Sequence, residues 1–140
     1  MWTCPQCGER FVSPNLWHSC GRYTRDALFQ KSKPHVVRIF EKVARLARRC
    51  GPVRVYAQKT RIVIQARIRF LNGSPRKSLL IVGLLLPRGT TSPRFSRVED
   101  YRSRQYVGCY LRLTSEDGVD GEVARWIRQA YRIGRQDHRT

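Results

Sequence analysis

The chain has 140 residues, of which 41% are hydrophobic and 10% aromatic, enough apolar material for one packed domain with a small appendage. That composition excludes a disordered or fibrous chain. Charge is its extreme feature: 28 Lys and Arg stand against 10 Asp and Glu, a formal net charge of +18.

So many unpaired cations repel one another, and a polyanion relieves that repulsion while counterion release adds affinity. Nucleic acid, either DNA or RNA, is therefore the expected partner. No membrane partner is expected: the longest apolar run, LLIVGLLLP, falls well short of the roughly 18 residues of a spanning helix. The opening MWTCPQC lacks the basic and apolar segments of a secretory leader, so a cytoplasmic location is expected. In that reducing compartment, clustered cysteines are metal ligands more often than disulfides.

Residues 1–24 read as a metal-binding head. Cys4, Cys7, His18 and Cys20 follow the pattern C-x2-C-x10-H-x-C. Zinc takes four nitrogen or sulfur ligands in a tetrahedron, and a C-x-x-C turn presents two thiolates from one tight loop. Gly8 permits the turn, and His18 and Cys20 project to one side if extended. Trp2, Phe11 and Trp17 form the small apolar set that a metal-dependent fold requires. One structural zinc is the expected cofactor. Two other readings are a redox pair of thioredoxin type at WTCPQC, without the βαβ pattern such a pair needs, and unliganded thiols.

Residues 25–34 read as a polar linker, within TRDALFQKSKP, that ends at a proline suited to a first helical turn. The body spans residues 35–134 and the tail 135–140. From His35 to Cys50, Val36, Ile39, Phe40, Val43, Leu46 and Ala47 recur at helical spacing. Arg38, Lys42, Arg45, Arg48 and Arg49 take most of the other face. Gly51-Pro52 ends this helix.

VRVYAQ is a short strand, and KTRIVIQARIRF reads as a second by its alternation. NGSP reads as a turn. SLLIVGLLL does not alternate and is expected to be a central strand covered on both faces. PRGTTSPRFSRVEDYRSRQ reads as a loop before a last strand, YVGCYLRL. Ser115 is expected to cap a helix whose apolar stripe is Val119, Val123, Trp126, Ile127, Ala130 and Tyr131. Cys50 and Cys109 fit as small core residues, and His35 and His138 as a helix-start and a tail residue.

The expected fold is α+β: a small zinc finger, then a helix–four-strand–helix domain with a mostly antiparallel sheet and both helices on one face. If Ile62, Ile64 and Ile68 face the helices, the other face carries Lys59, Arg61, Gln65, Arg67 and Arg69. Neighbouring strands add Arg54, Tyr56, Tyr106, Tyr110 and Arg112. Cations for phosphates, interleaved with rings that stack on bases, make a platform for single-stranded nucleic acid.

No nucleophile–base arrangement, phosphate-binding glycine loop or carboxylate pair on a strand is evident, so no enzyme is expected. Two alternatives stand beside nucleic-acid binding. One is a protein-interaction subunit of a larger nucleic-acid-associated assembly. The other is a metal-dependent nuclease using Glu99 and Asp100 with Lys59 and Arg61.

Several stretches resemble an uncharacterised bacterial domain-of-unknown-function family, sometimes labelled a predicted transport protein. They are W-x-C-x-x-C-G-x-x-F and H-x-C in the head, then GPVRV, KTRIVIQARIRF, R-F-x-R-V-E and YLRLTSEDGVDGEVARWIRQAY. The resemblance covers nearly the whole chain and implies the zinc head and the α+β body, but no chemistry. Where it implies a histidine in the last strand, this chain has Cys109. The helix–strands–helix body with W-x-x-x-A-Y near its end also resembles frataxin-like small α/β domains, some described as DNA-binding.

Overall fold

A computed structural model describes residues 1–3, 5, 10–12, 23–102 and 104–136. Near the start, β1 (Trp2–Thr3) pairs antiparallel with β2 (Arg10–Phe11). The body then runs α1 (Arg25–Phe29), α2 (Pro34–Cys50), β3 (Arg54–Ala57), β4 (Ile62–Gln65), β5 (Arg69–Pro75), β6 (Leu80–Pro87), β7 (Phe95–Asp100), β8 (Tyr106–Leu113) and α3 (Gly121–Gly134). Its sheet has six strands in the order β3-β4-β5-β6-β8-β7, every neighbouring pair antiparallel. The fold is α+β, as expected, but the strand count of four is too low.

Two errors account for the difference. KTRIVIQARIRF is not one strand: residues 66–68 turn away, and the amides of Arg67 and Ile68 both donate to the Gly134 carbonyl at 2.9 Å. The alternation continues across this break only by coincidence of residue types. NGSP is not a turn but lies within β5, where Gly73 packs beside Phe40; a Cβ there would stand 3.2 Å from the ring. The second error is β7, an edge strand inside the stretch read as loop, with arginine and acid side chains exposed at the sheet margin.

The stretch read as a linker contains α1. Thr24 caps it, its hydroxyl accepting from the Ala27 amide at 3.2 Å, and Phe29 is buried against Phe40. In α2 the apolar stripe Val36, Ile39, Phe40, Val43 and Ala47 is buried, as its spacing requires. The α3 stripe is buried likewise. Asp120 rather than Ser115 caps α3, its carboxylate accepting from Val123 N–H at 3.1 Å; Ser115 precedes a separate short turn, Glu116–Gly118.

Both helices lie on the side of the sheet that carries Leu80, Val82, Leu84 and Leu86. They run parallel. Arg38 and Lys42 of α2 reach Glu116 before α3, while Gly51 at the far end lies against Tyr131. The idea that β6 is covered on both faces is therefore wrong. Its other row, Ile81, Gly83 and Leu85, faces away from the helices and is sheltered by neighbouring side chains. Among the described residues no helix is long and apolar enough to cross a membrane.

Arg94 ties the approach to β7 onto the start of α3. It pairs with Asp120 and Glu122 at 3.1 and 2.9 Å, donates to the Gly118 carbonyl at 2.8 Å and lies over the Trp126 ring. The Val123 amide, then Arg94, hold Asp120 below the usual carboxylate range. The stability this gives is complete above the ordinary aspartate range and is lost as pH falls through the lowered value. Asp120→Ala should cost about 1 kcal/mol in urea unfolding near neutral pH, and the difference from wild type should shrink in acid.

Candidate functional site

The face of the sheet turned away from the helices is where the cations and rings meet. The register sets Tyr56, Val63, Asn72, Gly83, Tyr110 and Arg97 in one row across all six strands. Arg54 and Gln65 pair in the next row, and Ile81 pairs with Arg112 further along. Period-two alternation in β8 puts Tyr106, Gly108, Tyr110 and Arg112 on the same side.

Arg54, Tyr56, Arg61, Arg69, Tyr106, Tyr110 and Arg112 are thus brought to one face. Lys59 and Arg67 are not. Lys59 is exposed at the β3–β4 turn, and Arg67 is exposed in the turn beside the end of α3. Arg97 over the Tyr110 ring and Tyr101 just beyond β7 complete the face; the parity of β7 could have revealed Arg97 had it been read as a strand.

A hydrogen-bonded chain stiffens the β3 side. Arg69 Nε donates to the Tyr56 hydroxyl at 2.7 Å, which donates to Gln65 Oε1 at 2.7 Å. Gln65 is only 1% exposed, so this chain satisfies a buried amide that would otherwise cost stability.

At the centre the face is hollow. A cavity of about 300 Å³ is walled by Arg61, Arg69, Asn72, Glu99, Tyr101 and Tyr110. Two glycines form its floor. A Cβ on Gly83 would stand 2.7 Å from the Tyr110 ring and 2.9 Å from the Asn72 amide; one on Gly108 would stand 2.9 Å from the Tyr101 hydroxyl. Glycine inside a strand marks a place where something approaches the backbone closely, and this was the one available signal for the cavity. Beside it, Arg102 and Arg104 border a more open hollow with Tyr106.

Among the described residues Glu99 is the acid of this face. It accepts from the Tyr101 hydroxyl at 2.8 Å and from Arg97. Asp100 points the other way and pairs with Arg88 at 2.8 Å. The two acids imagined as a nuclease pair are therefore separated, as adjacent strand residues must be. Among the described residues no cluster of three or more His, Cys, Asp or Glu could hold a metal ion. Cys4, Cys7, His18 and Cys20 lie outside the described residues. The remaining thiols behave as core residues: Cys109 is fully buried, which pushes its thiol up to about 11, and Cys50 is half-buried and raised.

Burial, and then Glu99, hold the Tyr101 and Tyr110 phenols above their usual value. Their protonated forms favour the fold, so that contribution is complete below the unfolded tyrosine range and is lost as pH rises through the raised values. In an alkaline absorbance titration these two phenols should ionise last. Glu99→Gln should bring both down, because it removes the neighbouring negative charge.

Residues 25–134 match the model of a family described as a domain of unknown function, DUF5655. No curated protein and no solved structure matches.

Proposed function

This chain belongs to the DUF5655 family, and we propose that it is a zinc-stabilised, basic nucleic-acid-binding protein whose sheet face turned away from the helices is the binding platform. The observation that carries the reading is the collection of Arg54, Arg61, Arg69, Arg97 and Arg112 with Tyr56, Tyr101, Tyr106 and Tyr110 on that face, where Glu99 is the one carboxylate among the described residues. Guanidinium groups grip phosphates in two-pronged geometry, and phenol rings accept stacked bases. A six-stranded sheet is also broad enough to seat several nucleotides in extended form. DNA and RNA are both accepted on this reading, because most contacts go to phosphate.

Affinity for a short single-stranded oligonucleotide should fall steeply as salt rises. Arg112→Ala should weaken it for every sequence and reduce the slope of log affinity against log salt by about 1. An affinity indifferent to salt, or no binding to any oligonucleotide, would falsify the reading. A stoichiometric protein partner that survives nuclease treatment would favour the interaction-subunit alternative instead.

The zinc belongs at Cys4, Cys7, His18 and Cys20. What supports it, besides the ligand spacing, is the backbone pairing of Trp2 with Phe11, which brings the two chain segments on either side of Cys4 and Cys7 together. Elemental analysis of protein purified without added metal should find about one zinc per chain. Cys7→Ser should lose it while the β3–β8 sheet keeps its circular dichroism.

A further inference from the structure

The outer surface of the helix layer carries a second collection of cations, away from the sheet face. Acids stop early in both helices: residues 42–50 of α2 and residues 123–136, in and just after α3, contain none. Glu41, Glu116, Asp120 and Glu122, which precede these stretches, hold Arg25, Arg38 and Arg94. Because α2 and α3 run parallel, their acid-free ends lie together, with Gly51 against Tyr131. There a groove of about 380 Å³ is bordered by Arg49, Arg128, Arg132 and Arg135. All four are exposed, and among the described residues no carboxylate pairs with any of them. Arg135 lies over the Tyr131 ring, 5.9 Å from its centroid.

Helix dipoles do not account for so much charge. Each helix C-terminus carries about −0.5 of an elementary charge, so two parallel ends amount to about −1 against four guanidiniums. Nor is the surface built for an apolar partner. Among the described residues the exposed large apolar side chains are Met1, Val98 and Tyr101, none of them on α2 or α3. What the groove offers is a row of cations. Arg128, Arg132 and Arg135 recur after four and three residues, so they climb one side of α3 in steps of about 6 and 4.5 Å. Such steps let neighbouring guanidiniums take neighbouring phosphates of one strand.

We infer that this groove binds the phosphate backbone of a second nucleic-acid strand, so that one chain bridges two strands. The inference rests on the nucleic-acid reading and adds a separate site to it. The groove and the platform lie on opposite sides of the body, with the sheet and a helix about 10 Å thick between them. A short strand held on one side therefore leaves the other side for another strand.

The test counts single-stranded hexanucleotides bound to the full-length protein by native mass spectrometry, and reads energy transfer between donor-labelled and acceptor-labelled hexanucleotides mixed with it. Wild type should hold two strands per chain and give transfer. The groove-side event should show a slope of log affinity against log salt of about −3, as four phosphate contacts to a single strand require. The combined variant Arg128→Gln, Arg132→Gln, Arg135→Gln should hold one strand and lose the transfer, with its circular dichroism unchanged. Arg112→Ala, on the other face, should weaken the remaining event in that background. Two strands still bound by the combined variant, or a single strand on wild type that only Arg112→Ala weakens, would overturn the inference and leave the platform reading standing. A single strand lost in the combined variant and indifferent to Arg112→Ala would overturn the bridging and remove the platform. No binding of any strand would overturn both.

Discussion

The parallel packing of α2 and α3 against the Leu80–Leu86 side of the sheet determines what the rest of the chain can be. Two helices bury one face of a sheet and no more, and here their apolar stripes are consumed by that task. Phe40 and Phe70 mark how tightly the layers meet, with Phe70 edge-on to Tyr131 and so close to Gly134 that a Cβ there would stand 2.5 Å from the ring. Among the described residues the opposite face has no second helical layer packed on it, and arginine and tyrosine side chains are gathered there.

The chain's few acids follow from the same arrangement. Glu41 joins α2 to Arg25 of α1, Glu116 joins the turn before α3 to Arg38, and Asp120 and Glu122 hold Arg94. Exposed pairs of this kind add little stability singly, but they locate elements relative to one another. Among the described residues, four carboxylates thus lie at junctions of the helix layer. Among the described residues the sheet face turned away from the helices gathers arginines beside Glu99, and a field favourable to anions results.

Helices α2 and α3 were legible because a long amphipathic stripe has one period that no other structure shares, whereas the five residues of α1 are too few to show it. Strands β3, β6 and β8 were legible from their apolar runs. What failed was local chemistry overridden by tertiary contact. Asn72 and Gly73 have turn residues' names, yet Asn72 walls the cavity and Gly73 makes room for Phe40. Gln65 alternates as an exposed polar residue should, yet Tyr56 and Arg69 bury it. The β7 segment hid because an edge strand with Val98 exposed has no reason to show an apolar face. Of the candidate site, the cations and rings could be read from strand parity. The cavity could not, since its walls come from β4, β5, β7 and β8 and its floor is the absence of two side chains.

The order β6-β8-β7 has a consequence for how the walls of the cavity are held. β7 precedes β8 in the chain and has β8 as its only neighbour in the sheet, so it is joined to the rest of the sheet through β8 alone. The strand that bears Glu99 is thus an edge strand, held from one side alone as β3 is at the other margin. Local opening at that margin would carry the acidic wall of the cavity with it, whereas Arg69 on β5 and Arg61 just before β4 sit on inner strands paired on both sides.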